Sequence, residues 1–180
     1  MLQITINAGE CWDETKREFV STKAQTLQLE HSLVSLSKWE SKWRKAFFTK
    51  REMSHEEILD YIKCMTITQN VKPETYSCLT SEHIDQIREY IESPMTATYF
   101  SPDKSGRTSS ETVTSELIYY WMIALNIPFE CQKWHLNRLL TLIKVCNVKN
   151  QPPKKMSRRD ILSRNHAMNA ARRKHLNSKG

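Results

Sequence analysis

The chain has 180 residues, 39% of them hydrophobic and 26% charged, with a net charge of +7. That is the length of one domain with enough apolar side chains for a core, and it excludes wholesale disorder. Its only glycines, Gly9, Gly106 and Gly180, exclude a P-loop or a dinucleotide-binding turn, and the longest apolar run, Leu117 to Leu125, is half of the roughly 18 residues a membrane span needs.

Leu2-Gln-Ile4-Thr-Ile6 alternates apolar and polar residues with the period of a half-buried strand, and Asn7 to Glu10 reads as a turn. Thr26 to His31 alternates again and can pair antiparallel with the first strand, the polar segment Asp13–Lys23 lying between them. From Leu33 the period becomes helical, with Leu36, Trp39, Trp43 and Phe47 on one face and a Glu40–Arg44 pair at i, i+4. Ser54-His-Glu-Glu57 is a capping box opening a helix that carries Ile58, Ile62 and Met65. Thr80 or Ser81 starts another helix, with Ile84, Ile87 and Ile91 in one stripe and Pro94 ending it.

Thr96 to Phe100 reads as a strand or extended segment, and 101–110 as a polar loop that divides the body into two halves. Ser109 and Ser110 are candidate caps for a helix over Glu111–Asn126, whose stretch Leu117–Leu125 is apolar on nearly every side and must be covered all round. Pro128 suits the first turn of the next helix, which carries the stripe Leu136, Leu139, Leu140, Ile143 and Cys146, so the two helices should be neighbours. Pro152-Pro153 ends the body, and a last helix over roughly Ser157–His175 carries arginine on most faces.

Nine of the 27 basic residues lie between Pro152 and Gly180 beside one acid, Asp160, which leaves a net −1 for the first 151 residues. The expected architecture is therefore mainly α: a helical domain over 1–151 with a small N-terminal β element, and a basic helical C-terminal arm over 152–180. The arm can bind nucleic-acid phosphates or fold on an acidic partner, or serve as a solubilising extension. It contains no aromatic ring, which weakens single-strand binding by stacking.

Five cysteines, Cys11, Cys64, Cys78, Cys131 and Cys146, form no close pair. With no secretory leader visible in MLQITINAGE, they read as reduced thiols of a soluble intracellular protein, with Cys64, Cys131 and Cys146 in the core. Cys131 and His135 at i, i+4 are two zinc-type ligands lacking a third, and Cys131 with His135, or Cys64 with His55, lack any nucleophile elbow or oxyanion hole. No catalytic residue, metal site or cofactor is expected. The tryptophans carry more: Trp39, Trp43 and Phe47 line either a core or a partner-binding face, whereas Trp121 reads as core.

Five strings, TLQLEHSLVSLSKWESKW (26–43), DYIKCMTITQNV (60–71), PMTATYF (94–100), ELIYYWMIALNIPFECQKWHLNRLLTLIKVCNVKN (116–150) and PPKKMSRRDILSRNHAMNAARRKHLNSKG (152–180), together resemble the tail assembly chaperones of tailed bacteriophages. The resemblance implies a largely helical, non-enzymatic protein of the infected host's cytoplasm that coats the tape measure protein and recruits tail tube subunits without staying in the particle. Many members are made in two lengths by a ribosomal frameshift, for which Lys154-Lys155 and Arg172-Arg173-Lys174 are candidate places. The expected partner-binding residues are Trp39, Trp43 and Phe47 for a client helix, and Lys154, Lys155, Arg158, Arg159, Arg164, Arg172 and Arg173 for a second partner. Self-association and nucleic-acid binding through the arm are further partner expectations, and a membrane is not one. The alternatives are a tail or neck protein of the virion and, third, a nucleic-acid-binding regulator.

Overall fold

A computed structural model describes residues 1–13, 17–49, 51–100, 111–151 and 157–177. The chain is mainly α and divides into two compact units, Met1–Asn147 and Val148–Gly180. The polar loop expected over 101–110, the caps Ser109 and Ser110, and Pro152-Pro153 lie outside the described residues.

The first unit opens with four strands, β1 (Leu2–Ile6), β2 (Gly9–Asp13), β3 (Glu18–Thr22) and β4 (Gln25–Leu29). β1 pairs antiparallel with β4, as its alternation predicts, and Ile4, Ile6, Leu27 and Leu29 are all buried. Thr5 and Thr26 share a 3.2 Å hydrogen bond between their hydroxyls on the opposite face. The segment between these strands is not a polar connection. It forms a second antiparallel ladder, β2 with β3, in the same register: Ile6 faces Gln25, Gly9 faces Thr22, and Asn7-Ala8 lie opposite Lys23-Ala24. The four strands are thus one long hairpin interrupted once, and the turn expected over Asn7 to Glu10 is reduced to that interruption at Asn7-Ala8, since Gly9 and Glu10 already pair in β2.

α1 (Leu33–Trp43) is capped by Ser32, whose hydroxyl accepts from the Ser35 amide at 3.3 Å while the Ser32 amide donates to Ser35 Oγ at 3.0 Å. It stops at Arg44, which adopts φ 52° and donates its amide to the Glu40 carbonyl at 2.7 Å. Phe47 therefore lies past the helix rather than on its last turn. α2 (His55–Met65) starts on the predicted Ser54–Glu57 capping box, and α3 (Pro73–Ser77) is a short helix with proline in its first turn. α4 (Ser81–Glu92) is capped by Thr80. The residues Thr96 to Phe100 form no strand.

α5 (Ser115–Ala124) is shorter than the helix expected over Glu111–Asn126, because Thr114 caps it and Asn126 at φ 53° ends it, with the Ile127 amide donating to the Met122 carbonyl at 2.8 Å. A 3-10 turn (Phe129–Lys133) follows Pro128, then α6 (Leu136–Asn150). α1 is the wall shared by two hydrophobic clusters. Trp39 joins Ile4, Leu29, Tyr61, Ile62 and Tyr90 on one side, and Leu33 and Leu36 join Ile118, Met122, Leu136 and Leu139 on the other. α5 and α6 share that second cluster, as their short connection requires. Yet α5 is not covered all round: Tyr120 is 63% and Ile123 60% exposed.

The second unit contains α7 (Arg158–Leu176), started by Ser157, whose hydroxyl accepts from the Asp160 amide at 3.1 Å. None of its residues is buried.

Candidate partner-binding surfaces

The three aromatic residues expected on a partner-facing stripe have different fates. Trp39 is 1% exposed, and its indole Nε1–H donates to the Glu57 carbonyl at 3.0 Å, so it is core and offers no surface to a partner. Trp43, one turn on, is half-buried, stacks on Trp39 at 6.3 Å and donates Nε1–H to Asp60 Oδ2 at 2.9 Å. Phe47 packs against both clusters, with its ring 4.4 Å from Tyr61 and 5.4 Å from Trp39. The periodicity of 36, 39, 43 and 47 is that of residues sharing a face, and burial on that face is the structural outcome for Trp39.

Phe47 is placed by Glu40 rather than by helix geometry. The Glu40 carboxylate accepts from the Phe47 amide at 2.9 Å and from the Ser115 amide at 2.7 Å, so one buried acid holds the chain after α1 and the start of α5 together. The Glu40–Arg44 side-chain pair expected from the sequence gives way to these amides, because a carboxylate inside the fold must satisfy its oxygens there. Beside it, Glu57 is 1% exposed and receives Lys45 at 2.8 Å and Arg51 at 2.6 Å, while Lys42 pairs with Asp60. The hydrogen bonds from Arg51, Lys45 and the Ser54 amide hold the Glu57 carboxyl down to about 2. Lys45 also lies 5.5 Å from the centre of the Trp43 ring.

An apolar groove of about 230 Å³ opens against α2 and α4, lined by Phe47, Met53, Ile58, Ile84, Ile87 and Ile91, with Arg88 as its charged residue. The isoleucine stripes on α2 and α4 were legible as helix faces; that they leave an open groove depends on how the two helices meet. A second exposed aromatic pair, Trp12 and Phe19, faces across β2 and β3 with ring centres 5.2 Å apart. It was invisible to a reading that took 13–23 for a connection, although aromatic residues flanking a polar turn are a hairpin signal.

Of the basic residues, Arg158, Arg159, Arg164, Arg172 and Arg173 are all exposed on α7. Lys154 and Lys155 lie outside the described residues.

Cys131 and His135 do not share a helical face, since Cys131 is in the 3-10 turn and His135 precedes α6. His135 Nε2–H donates to the Tyr90 carbonyl at 3.0 Å, and among the described residues no group of three His, Cys, Asp or Glu can hold a metal. Burial pushes the Cys64 thiol up, away from the thiolate a nucleophile needs. Reduced thiols throughout are corrected: Cys11 on β2 and Cys78 at the end of α3 form a disulfide with Cα atoms 5.4 Å apart, leaving Cys64, Cys131 and Cys146 free. No helix among the described residues is long and apolar enough to cross a membrane.

The chain matches no known protein family, no curated protein and no solved structure.

Proposed function

We propose that this protein is a non-enzymatic, client-binding assembly factor, a tail assembly chaperone of a tailed bacteriophage acting in the host cytoplasm. The apolar groove at Phe47 is the observation that carries the reading at the level of chemistry. Its isoleucine and methionine walls suit the apolar residues of an amphipathic helix, the kind of segment a long helical tape measure protein presents. The five resembling strings supply the client class, and four of them, 26–43, 60–71, 94–100 and 116–150, lie wholly within the described residues.

In this reading the client helix seats its apolar face in the groove beside Phe47 and Ile84, and Trp39 serves the fold alone. The basic residues of 152–180 form the arm that engages a second, acidic partner, for which the tail tube subunit is the candidate.

Mass spectrometry of purified phage particles beside infected-cell lysate tests the proposal. Abundant peptides of this chain in lysate with none in particles is the expected result. Stoichiometric peptides in particles would replace it with a structural tail or neck protein.

A further inference from the structure

The uncovered face of α5 has a definite chemistry. Glu116, Tyr120 and Ile123, at i, i+4 and i+7, form one exposed stripe, and exposed Phe129 and Glu130 follow after the turn at Pro128. Between Ser115 and Glu130 the charged residues are Glu116 and Glu130, both acidic. An apolar helix face left open at 60% or more on Tyr120 and Ile123 is a surface that association can cover.

A complementary surface exists on the same chain. α7 carries six bases and one acid, and Ile161, Arg164, Met168, Arg172 and Leu176 fall at i, i+3, i+7, i+11 and i+15, within one side of the helix. Apolar and basic residues alternate along that side, and Ile161, Met168 and Leu176 are exposed. Each stripe supplies the charge the other lacks around an apolar centre, the arrangement that steers and registers protein association.

We propose that the α5 face is the docking site for α7 of a second copy of this chain. Ile161 and Met168 cover Tyr120 and Ile123, and Arg164 and Arg172 meet Glu116 and Glu130. Because donor and acceptor are different surfaces, two copies can exchange α7 reciprocally into a closed dimer, or the contact can run head-to-tail into rings or open chains. This inference needs no client, and it gives Arg164 and Arg172 an acidic partner in a second copy of the chain in place of the second tail protein proposed above.

Sedimentation velocity of the full chain at rising protein concentration tests it. The expected mass rises above the 21.2 kDa of one chain and falls back as salt is raised, through screening of the charge pairs. Ile123→Arg removes the acceptor and Arg164→Glu with Arg172→Glu removes the donor, so each variant stays at one-chain mass. Both sites are exposed, and a cooperative thermal melt verifies that each variant folds. Mixing the two variants restores a single junction and a two-chain mass, because one retains a good α7 and the other a good α5. A one-chain mass for the natural protein at every concentration overturns the proposal. So does association that survives the α7 changes, which would mean two α5 faces meeting, and so does a failure of the mixed variants to pair.

Discussion

The imidazole rings of His31 and His135 face each other 5.1 Å apart, 2% and 6% exposed, where the chain entering α1 meets the chain entering α6. The backbone locks this meeting, with the Leu136 amide donating to the His31 carbonyl at 2.7 Å and a bridge between Ser32 and His135. His31 Nδ1 shares a 2.5 Å hydrogen bond with the Tyr61 hydroxyl. His135 gives its Nε2–H to the Tyr90 carbonyl, which leaves its Nδ1 as a buried lone pair with no hydrogen-bond partner among the described residues. Phe47 and Tyr90 pack their rings against the pair, and the Glu30 carboxylate and the N-terminal amine act on His135 with opposite signs.

That pair makes the fold acid-sensitive. Burial, reinforced by the neighbouring His135, holds His31 down to about 3 from an ordinary 6.5, and burial lowers His135 as well. The unfolded chain takes up these protons near 6.5 while the folded chain does not, so stability is full above that pH and is lost progressively as pH falls toward 3. Thermal midpoints should therefore drop between about pH 7 and about pH 5, before the carboxylates titrate, and His31→Gln should flatten that slope. Glu57 adds a separate loss at lower pH, from its ordinary 4.5 toward about 2, because its ion pairs favour the charged form. A midpoint that does not move between neutral and mildly acidic pH would contradict the buried neutral pair.

Trp39 and Trp43 should separate in mutagenesis. Trp39→Ala opens a cavity between β4, α1 and α2 and removes the indole hydrogen bond to the Glu57 carbonyl, a loss of about 3–5 kcal/mol. Trp43→Ala removes a half-buried stack and one hydrogen bond, a loss of about 1–2 kcal/mol. Urea unfolding of the two variants checks the ordering, and equal losses would contradict the difference in burial.

Glu40 should be costlier to remove than a surface acid. Its two acceptor contacts, to the Phe47 and Ser115 amides, disappear together in Glu40→Ala, leaving buried donors unsatisfied and costing about 3 kcal/mol. Hydrogen exchange should show faster exchange at both amides in that variant, since one carboxylate protects them both.

The disulfide predicts a thiol count. Alkylation of the unreduced, denatured chain should label three cysteines, and labelling after reduction should add Cys11 and Cys78. The bond closes a separation of 67 residues, for which chain entropy gives about 4 kcal/mol of stabilisation. Cys11→Ser should lower the melting temperature, and increase exchange in β2 and β3, whose outer residues are largely exposed, more than in β1 and β4.

What the sequence determined by itself is local. Alternation over 2–6 and 26–31 predicted the outer strand pair; Ser54, Thr80 or Ser81, and Ser157 marked three helix starts; and the charge count placed the net positive charge beyond 151. Each of these is set by neighbours within a turn or two, through side-chain capping and the period of the backbone. Phe47 was legible as part of the candidate site, and the isoleucine stripes as helix faces, but the groove they line was not. The tertiary structure decided whether Trp39 is core or surface, brought Cys11 to Cys78 and His31 to His135, tied Glu40 to Ser115, and left Tyr120 and Ile123 uncovered. Those pairings join residues 67, 104 and 75 positions apart, a distance over which periodicity carries no information, and they arise only when the elements pack together, α3 against β2 for the cysteines and α1 against its two clusters for His31 and Glu40.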